Sequence, residues 1–261
     1  MNTLPLAGIG RAFVAIALLG IGTEHIIFQE FVLGRAPPWP VGLPGKSVWA
    51  IGSGVFVMAA AIMLVMRRWA RQAMLGLAFM VSVWALLRHL PIVLTDQLLA
   101  GSWTRAGKAL TFVGGLAAVA GTLPLVDSGI GRRYANATGS LVRLGAICLG
   151  CFLLIGGLQH FKFTAFVMTL FPAWFPGNLT YWTRFAGIAL MAGGAGLLIP
   201  RTTRLAGMLV GLMLFSWVWI VHLPRMFVSV SDGIAVFEAL AFAGIALVVS
   251  SATDTRHRHS R

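Results

Sequence analysis

Acidic residues are scarce in this sequence: Asp and Glu number 7 against 20 Lys and Arg, and charged residues make up only 10% of 261. A soluble domain carries about a quarter charged residues, so this chain has too little polar surface to cover itself in water. No glycine-rich nucleotide motif, no HExxH and no CxxC…CxxC constellation is present, because the glycines are scattered through apolar runs. The only two cysteines, Cys148 and Cys151, form a single CxxC. It has no counterpart elsewhere in the chain and lies toward the reducing side of the topology below. Small buried thiols commonly serve packing, and a redox dithiol is the alternative. A secretory signal is not expected either, since the first apolar stretch, Arg11 to Val32, exceeds a signal-peptide core.

What is abundant is hydrophobic surface, at 58% of residues, together with 31 glycines. Small residues let helices approach closely in lipid. Apolar runs near the 20 or so residues that span a bilayer fall at 10–32, 48–66, 72–95, 108–126, 142–168, 182–199, 204–228 and 234–251. Basic or Pro/Gly-rich breaks separate them, including Arg67-Arg68, Arg132-Arg133 and Pro200-Arg201. Residues 127–141 read as a linker and 253–261 as a basic, lipid-facing tail, leaving 1–126 and 142–252 as the two main units.

Those two units are repeats. Glu24-His25-Ile26-Ile27-Phe28 matches Gln159-His160-Phe161-Lys162-Phe163, and Arg11 matches Arg143. Phe31-Val32 matches Phe166-Val167, Pro37 and Trp39 match Pro172 and Trp174, and Pro44-Gly45 matches Pro176-Gly177. Trp84 and His89-Leu90-Pro91 match Trp217 and His222-Leu223-Pro224. Lys108 and Glu238 are equivalent in position but opposite in charge, which allows a pair across the joint. The expected fold is therefore an all-α integral membrane bundle of eight transmembrane helices. Two parallel four-helix repeats would be related by a pseudo-twofold axis along the membrane normal.

A net charge of +13 would raise nucleic acid as a partner in a soluble protein. Here the basic residues sit in short loops and tails, where they set topology and meet lipid headgroups, so the bilayer is the partner and nucleic acid is not. Twelve of the twenty lie in the two tails and the 67–71, 132–143 and 201–204 loops. Both termini of a multi-pass cell-membrane protein are then expected in the cytoplasm.

His25, His89, His160 and His222 each follow the basic start of a span by about 14 to 18 residues. At 1.5 Å per residue that is roughly 21–27 Å, near the outer edge of a 30 Å core. Each unit thus contributes one histidine from its first helix and one from its third. Glu24 or Gln159 precedes the first, and Phe28 or Phe163 follows it by three positions on the same face. Trp39, Trp49, Trp84, Trp103, Trp174, Trp182, Trp217 and Trp219 fall in the same outer half. Aromatic belts populate both interfaces, so this one-sided distribution reads as the wall of an aromatic cavity. The segments 36–45 and 172–177 are Pro- and Trp-rich and read as short re-entrant caps roofing the histidines. Arg88 adjoins His89 while Arg225 follows His222 by three, so the arginines are not matched, and Asp96 and Asp232 are their candidate partners.

Three readings of the histidines stay open: helix packing, a ligand or quinone site, and paired haem or metal ligation. The ligand reading takes His25, His89, His160 and His222, with Glu24, Gln159, Arg88, Arg225, Trp39, Trp84, Trp174 and Trp217 around them. Its histidines would bond a ligand's carbonyls while Trp and Phe stack on the ring.

The repeat unit resembles the DoxX-like membrane proteins, four-span units with a first-helix His, an aromatic-Pro cap after it, and a third helix ending in a polar motif. The matching residues here are His25 and His160, the two caps, and His89-Leu90-Pro91 with His222-Leu223-Pro224-Arg225. The resemblance covers nearly the whole chain as two fused units. It implies a redox-associated or quinone-handling membrane protein and assigns no catalytic residue. The leading expectation is a quinone- or lipid-binding subunit of a membrane redox system, with a soluble or membrane oxidoreductase subunit as its partner. The alternative from another class is a structural or transport-type bundle without redox activity.

Overall fold

The computed structural model describes residues 4–31, 39–40, 42–124, 131–229 and 232–252. Their regular elements are all helices, with no strand among the described residues. The elements are α1 (Leu4–Phe28), α2 (Lys46–Met66), α3 (Ala70–Trp84), α4 (Leu90–Thr95), α5 (Gly101–Gly121), α6 (Gly131–Lys162), α7 (Thr164–Met168), α8 (Leu179–Leu198), α9 (Thr203–Trp217), α10 (Leu223–Met226) and α11 (Gly233–Ala252). Among the described residues six helical stretches are long and apolar enough to cross a membrane: α1, α2, α3 through α4, α6, α9 through α10, and α11. That is the pattern of a multi-pass membrane protein.

The two other long helices, α5 and α8, fill places inside the same bundle. α5 packs on α3 and α6, and α8 packs on α6 and α9. Arg105 and Lys108 sit in the first turns of α5, yet its second half, Gly114 to Gly121, is buried. A helix shielded by protein can carry charge where a lipid-facing one cannot. α11 is the central element: 78% of its apolar window is buried inside the protein, against 17–39% for the other five. It packs against α1 and α9, and α5 holds the corresponding place against α6 and α3.

Glycine sets the closest helix crossings. A Cβ on Gly54 of α2 would stand 2.7 Å from the Gly22 carbonyl oxygen and 2.8 Å from His25 Cβ in α1. On the other side, a Cβ on Gly187 of α8 would meet His160 Cβ at 3.0 Å and the Gly157 carbonyl oxygen at 3.1 Å. Both approaches are too tight for alanine, so each first-helix histidine lies at a glycine crossing.

α3 and α9 end alike. A π turn, Ala85–His89 or Val218–His222, interrupts each helix and ends on the histidine, one residue before Leu-Pro. Pro91 and Pro224 have no N–H to give, and their rings crowd the carbonyl four residues back. Widening to an i→i+5 turn relieves both problems. Carbonyls at other helix ends are met by arginine: Arg143 donates to Leu197 and Leu198 O, and Arg71 to Ala120 and Leu123 O. In a medium without water those acceptors need such partners.

Several boundaries differ from the sequence expectation: α1 begins at Leu4 rather than near 10, and α6 ends at Lys162 rather than near 168. Residues 131–141, read as linker, are helical and continuous with α6, and α5 begins at Gly101 rather than near 108. Val32, residues 36–38, Val41, 127–130 and the tail 253–261 lie outside the described residues.

Candidate functional site

The first half of the chain encloses a cavity between α1, α2, α3, α5 and α11. The space in it that water-sized groups can occupy is about 100 Å³, below the roughly 300–1,000 Å³ of drug-sized sites. Its lining is graded. Leu18 of α1, Val57 of α2, Leu77 of α3 and Leu116 of α5 form an apolar end. His25, His89, Arg105, Lys108 and Glu238 lie at the end where α5 and α11 begin. From Arg105 to Leu116 the cavity follows α5 for about 17 Å at 1.5 Å per residue.

His25 is 2% exposed, and neither Nδ1 nor Nε2 has a hydrogen-bond partner among the described residues. A neutral imidazole offers one donor and one acceptor, and leaving each without a partner costs about 1–3 kcal/mol. The Gly54 crossing holds the ring against α2 on one side. On another, the Phe31 ring meets it edge-on with centroids 6.1 Å apart. Phe31 in turn stacks on Trp39 at 5.3 Å and takes Trp84 edge-on at 5.0 Å. The Arg88 guanidinium carbon is 5.8 Å from the Phe31 ring centre and 5.7 Å from that of Trp39. Cation–π contacts of this kind contribute about 0.5–2 kcal/mol. Of the candidate residues, then, His25, His89 and Trp84 line one cavity. Trp39 and Arg88 close the aromatic cluster beside it.

Their counterparts in the second half are engaged with protein. His160 Nδ1 bonds the Gly156 carbonyl at 2.7 Å, and its ring stacks with Trp217 at 6.2 Å. Gln159 donates through Nε2 to Leu99 and Ala100 O, and its Oε1 accepts from Thr104 Oγ1, which pins α6 to the start of α5. Glu24 takes the corresponding place against α11, where a Cβ on Gly233 would lie 2.8 Å from its Oε1. A carboxylate there is favoured by the helix dipole. Arg225 pairs with Asp232 at 2.9 Å and donates to Thr169 O, so it ties α10 to neighbouring segments. Trp174 is 64% exposed and touches Phe175. His222 is half-buried in its π turn and is not among the residues lining the cavity.

Lys108 Nζ and Glu238 Oε2 are 2.5 Å apart, joining α5 to α11 at the polar end of the cavity. Arg105, on the same face of α5, lies within electrostatic reach of His89. It drew no notice in the sequence because a single arginine near a helix start looks like an interfacial anchor. Phe31 stood out in the sequence only as a repeat match, and neither it nor Phe112 was marked as a site residue among 17 phenylalanines. Among the described residues no three His, Cys, Asp or Glu side chains gather at one point. Cys148 is half-buried and packs where Gly114 leaves room, while Cys151 is exposed.

A family model described as a domain of unknown function (DUF8561) matches residues 149–250. No curated protein and no solved structure matches the chain. The matched stretch holds the half whose histidine His160 is bonded internally, and it contributes Ile234 and Glu238 to the cavity of the other half.

Proposed function

We propose that this chain is a membrane-embedded binding protein for a quinone or a lipid-like amphiphile, held in the cavity beside His25. The observation that carries the reading is the imidazole of His25 in the lining of a graded, mostly apolar cavity, buried and with no partner on either nitrogen among the described residues. A group so placed takes its hydrogen bonds from whatever enters. A carbonyl or hydroxyl head would meet His25 and His89, and a ring would lie against Trp84 and Phe31 while its tail runs toward Leu77 and Leu116. Service as a subunit of a membrane redox system, alongside an oxidoreductase, extends this proposal on the strength of the DoxX-like resemblance. In the second half the bonded His160, Gln159 and Arg225 favour a structural role.

The same proposal places eight spans as two parallel four-helix repeats about an axis along the membrane normal, with both termini in the cytoplasm. It is supported by the matched π turns, the matched glycine crossings at His25 and His160, and the exchanged packing of α1 on α11 and α6 on α5. Single-cysteine labelling of residues 67–71 and 97–100 from each side of sealed vesicles checks the orientation.

Binding is tested by titrating a short-chain quinone into purified full-length protein in nanodiscs and following tryptophan fluorescence and the ultraviolet quinone difference spectrum. Saturable binding is expected, weakened about tenfold or more in His25→Leu, which is the loss of about 1.4 kcal/mol. Unchanged affinity in that variant refutes the role given to His25. An absence of saturable binding by the intact protein refutes the site.

A further inference from the structure

The charge of the cavity narrows the class of ligand. Its lining holds two permanent cations, Arg105 and Lys108, but one carboxylate, Glu238. Glu238, with its side chain 5% exposed, is already bound to Lys108. Asp96, within electrostatic reach of Arg105, lies outside the helices and is exposed, where water screens its field. Two permanent cations against one carboxylate leave the polar end with an excess of positive charge. Such a charge in a poorly hydrated space is costly, and a guest that brings a negative charge offsets that cost. The geometry is amphiphilic too: the cations and histidines lie at one end, and Leu18, Leu77 and Leu116, all almost fully buried, lie at the other.

Resting on the ligand-binding reading above, we infer that the cavity selects an amphiphile whose head is an anionic oxygen, set between Arg105 and His25 with its apolar part toward Leu116. Two sources share that chemistry, the carboxylate of a long-chain fatty acid and the ionised hydroxyl of an acidic quinone. Arg105 supplies the charge, and His25 supplies a hydrogen bond to the head. Lys108 is held by Glu238 and sets the electrostatic floor of the site.

The test uses full-length protein in nanodiscs of neutral lipid, titrated with four probes under tryptophan fluorescence. These are a fatty acid, the matching fatty alcohol, a hydroxynaphthoquinone ionised at neutral pH, and its methyl ether. At least one anionic probe is expected to bind about tenfold more tightly than its neutral partner, a difference of about 1.4 kcal/mol, and which one identifies the source. Arg105→Gln is expected to erase that preference and Arg105→Lys to keep it, with the alcohol and ether bound as before. Equal binding of anionic and neutral probes by the unaltered protein overturns the inference while leaving the ligand-binding reading in place. A preference that survives in Arg105→Gln also overturns it. If none of the four binds saturably, both fall. Should Arg105→Gln not fold, the comparison within the unaltered protein still decides.

Discussion

Lys108 of α5 and Glu238 of α11 meet each other, Nζ to Oε2 at 2.5 Å. The pair fastens the two central helices where the cavity begins. Breaking one partner strands the other in a nearly dry place, which costs about 3–5 kcal/mol for buried pairs. Glu238→Ala is therefore expected to lower the melting temperature sharply. Lys108→Met with Glu238→Leu, which leaves neither charge facing a lost partner, is expected to recover much of the loss. Melting curves of the two variants in one detergent settle the matter, and equal destabilisation would show that the pair is not what holds the joint.

His25 and His160 share a place in their respective helices, but substitution is expected to separate them. His25→Leu removes a buried polar ring that has no partner among the described residues, so stability should hold or rise while ligand binding falls. His160→Leu removes the bond to Gly156 O and the stack on Trp217, for a loss of about 1 kcal/mol or more. The measurement is melting temperature beside quinone affinity for each variant, and matching profiles would count against the division of labour.

Gly54→Ala puts a methyl group against the Gly22 carbonyl and His25 Cβ. Overpacking of this kind costs about 1–3 kcal/mol, and here it pushes the histidine toward the cavity. Both thermal stability and ligand affinity are expected to fall. Gly52→Ala, where the added carbon meets nothing within 4 Å, is the control.

Acid should act on the loop after α4. The Ser102 hydroxyl and the Gln97 amide, which donates to Oδ1 at 2.8 Å, hold the Asp96 carboxyl below its ordinary value, with Arg105 and Lys162 adding to the effect. A depressed folded value means the contribution is present above the unfolded pKa of about 3.9 and is lost as pH falls through the lower, folded one. Asp96 is fully exposed, so the effect is small. Melting temperature below pH 4 should fall slightly less steeply in Asp96→Asn than in the unaltered protein, and identical slopes would remove Asp96 from the account.

The sequence located the spans because lipid demands long apolar runs, and α2 and α3 through α4 fall within two residues of the expected ranges at each end. It placed the start of α5 too late because Arg105 and Lys108 resemble the outside of a membrane, whereas here they face an internal space. Residues 131–141 looked like a linker for their Gly and Asn. Such residues cost a helix only about 1 kcal/mol or less each, and a turn that extends an existing helix needs no new nucleus. The four histidines stood out, but composition could not tell a ring bonded to its own helix from one left without a partner. That difference depends on which neighbours lie across the bundle. The π turns were hidden for a similar reason: Pro91 and Pro224 mark where a helix is disturbed, not how it recovers.

Those π turns have one further consequence, for length changes in the chain. Each stores one residue more than an α-helical turn, so removing a single residue from 85–89 would let the helix close up regularly instead of breaking. Because the wide turn fits its extra residue into about the arc of a regular one, the segment beyond the deletion would keep nearly the same facing and only draw back along the axis. The proline end would stay turned toward the interior, and a one-residue gap there is one that the bundle absorbs.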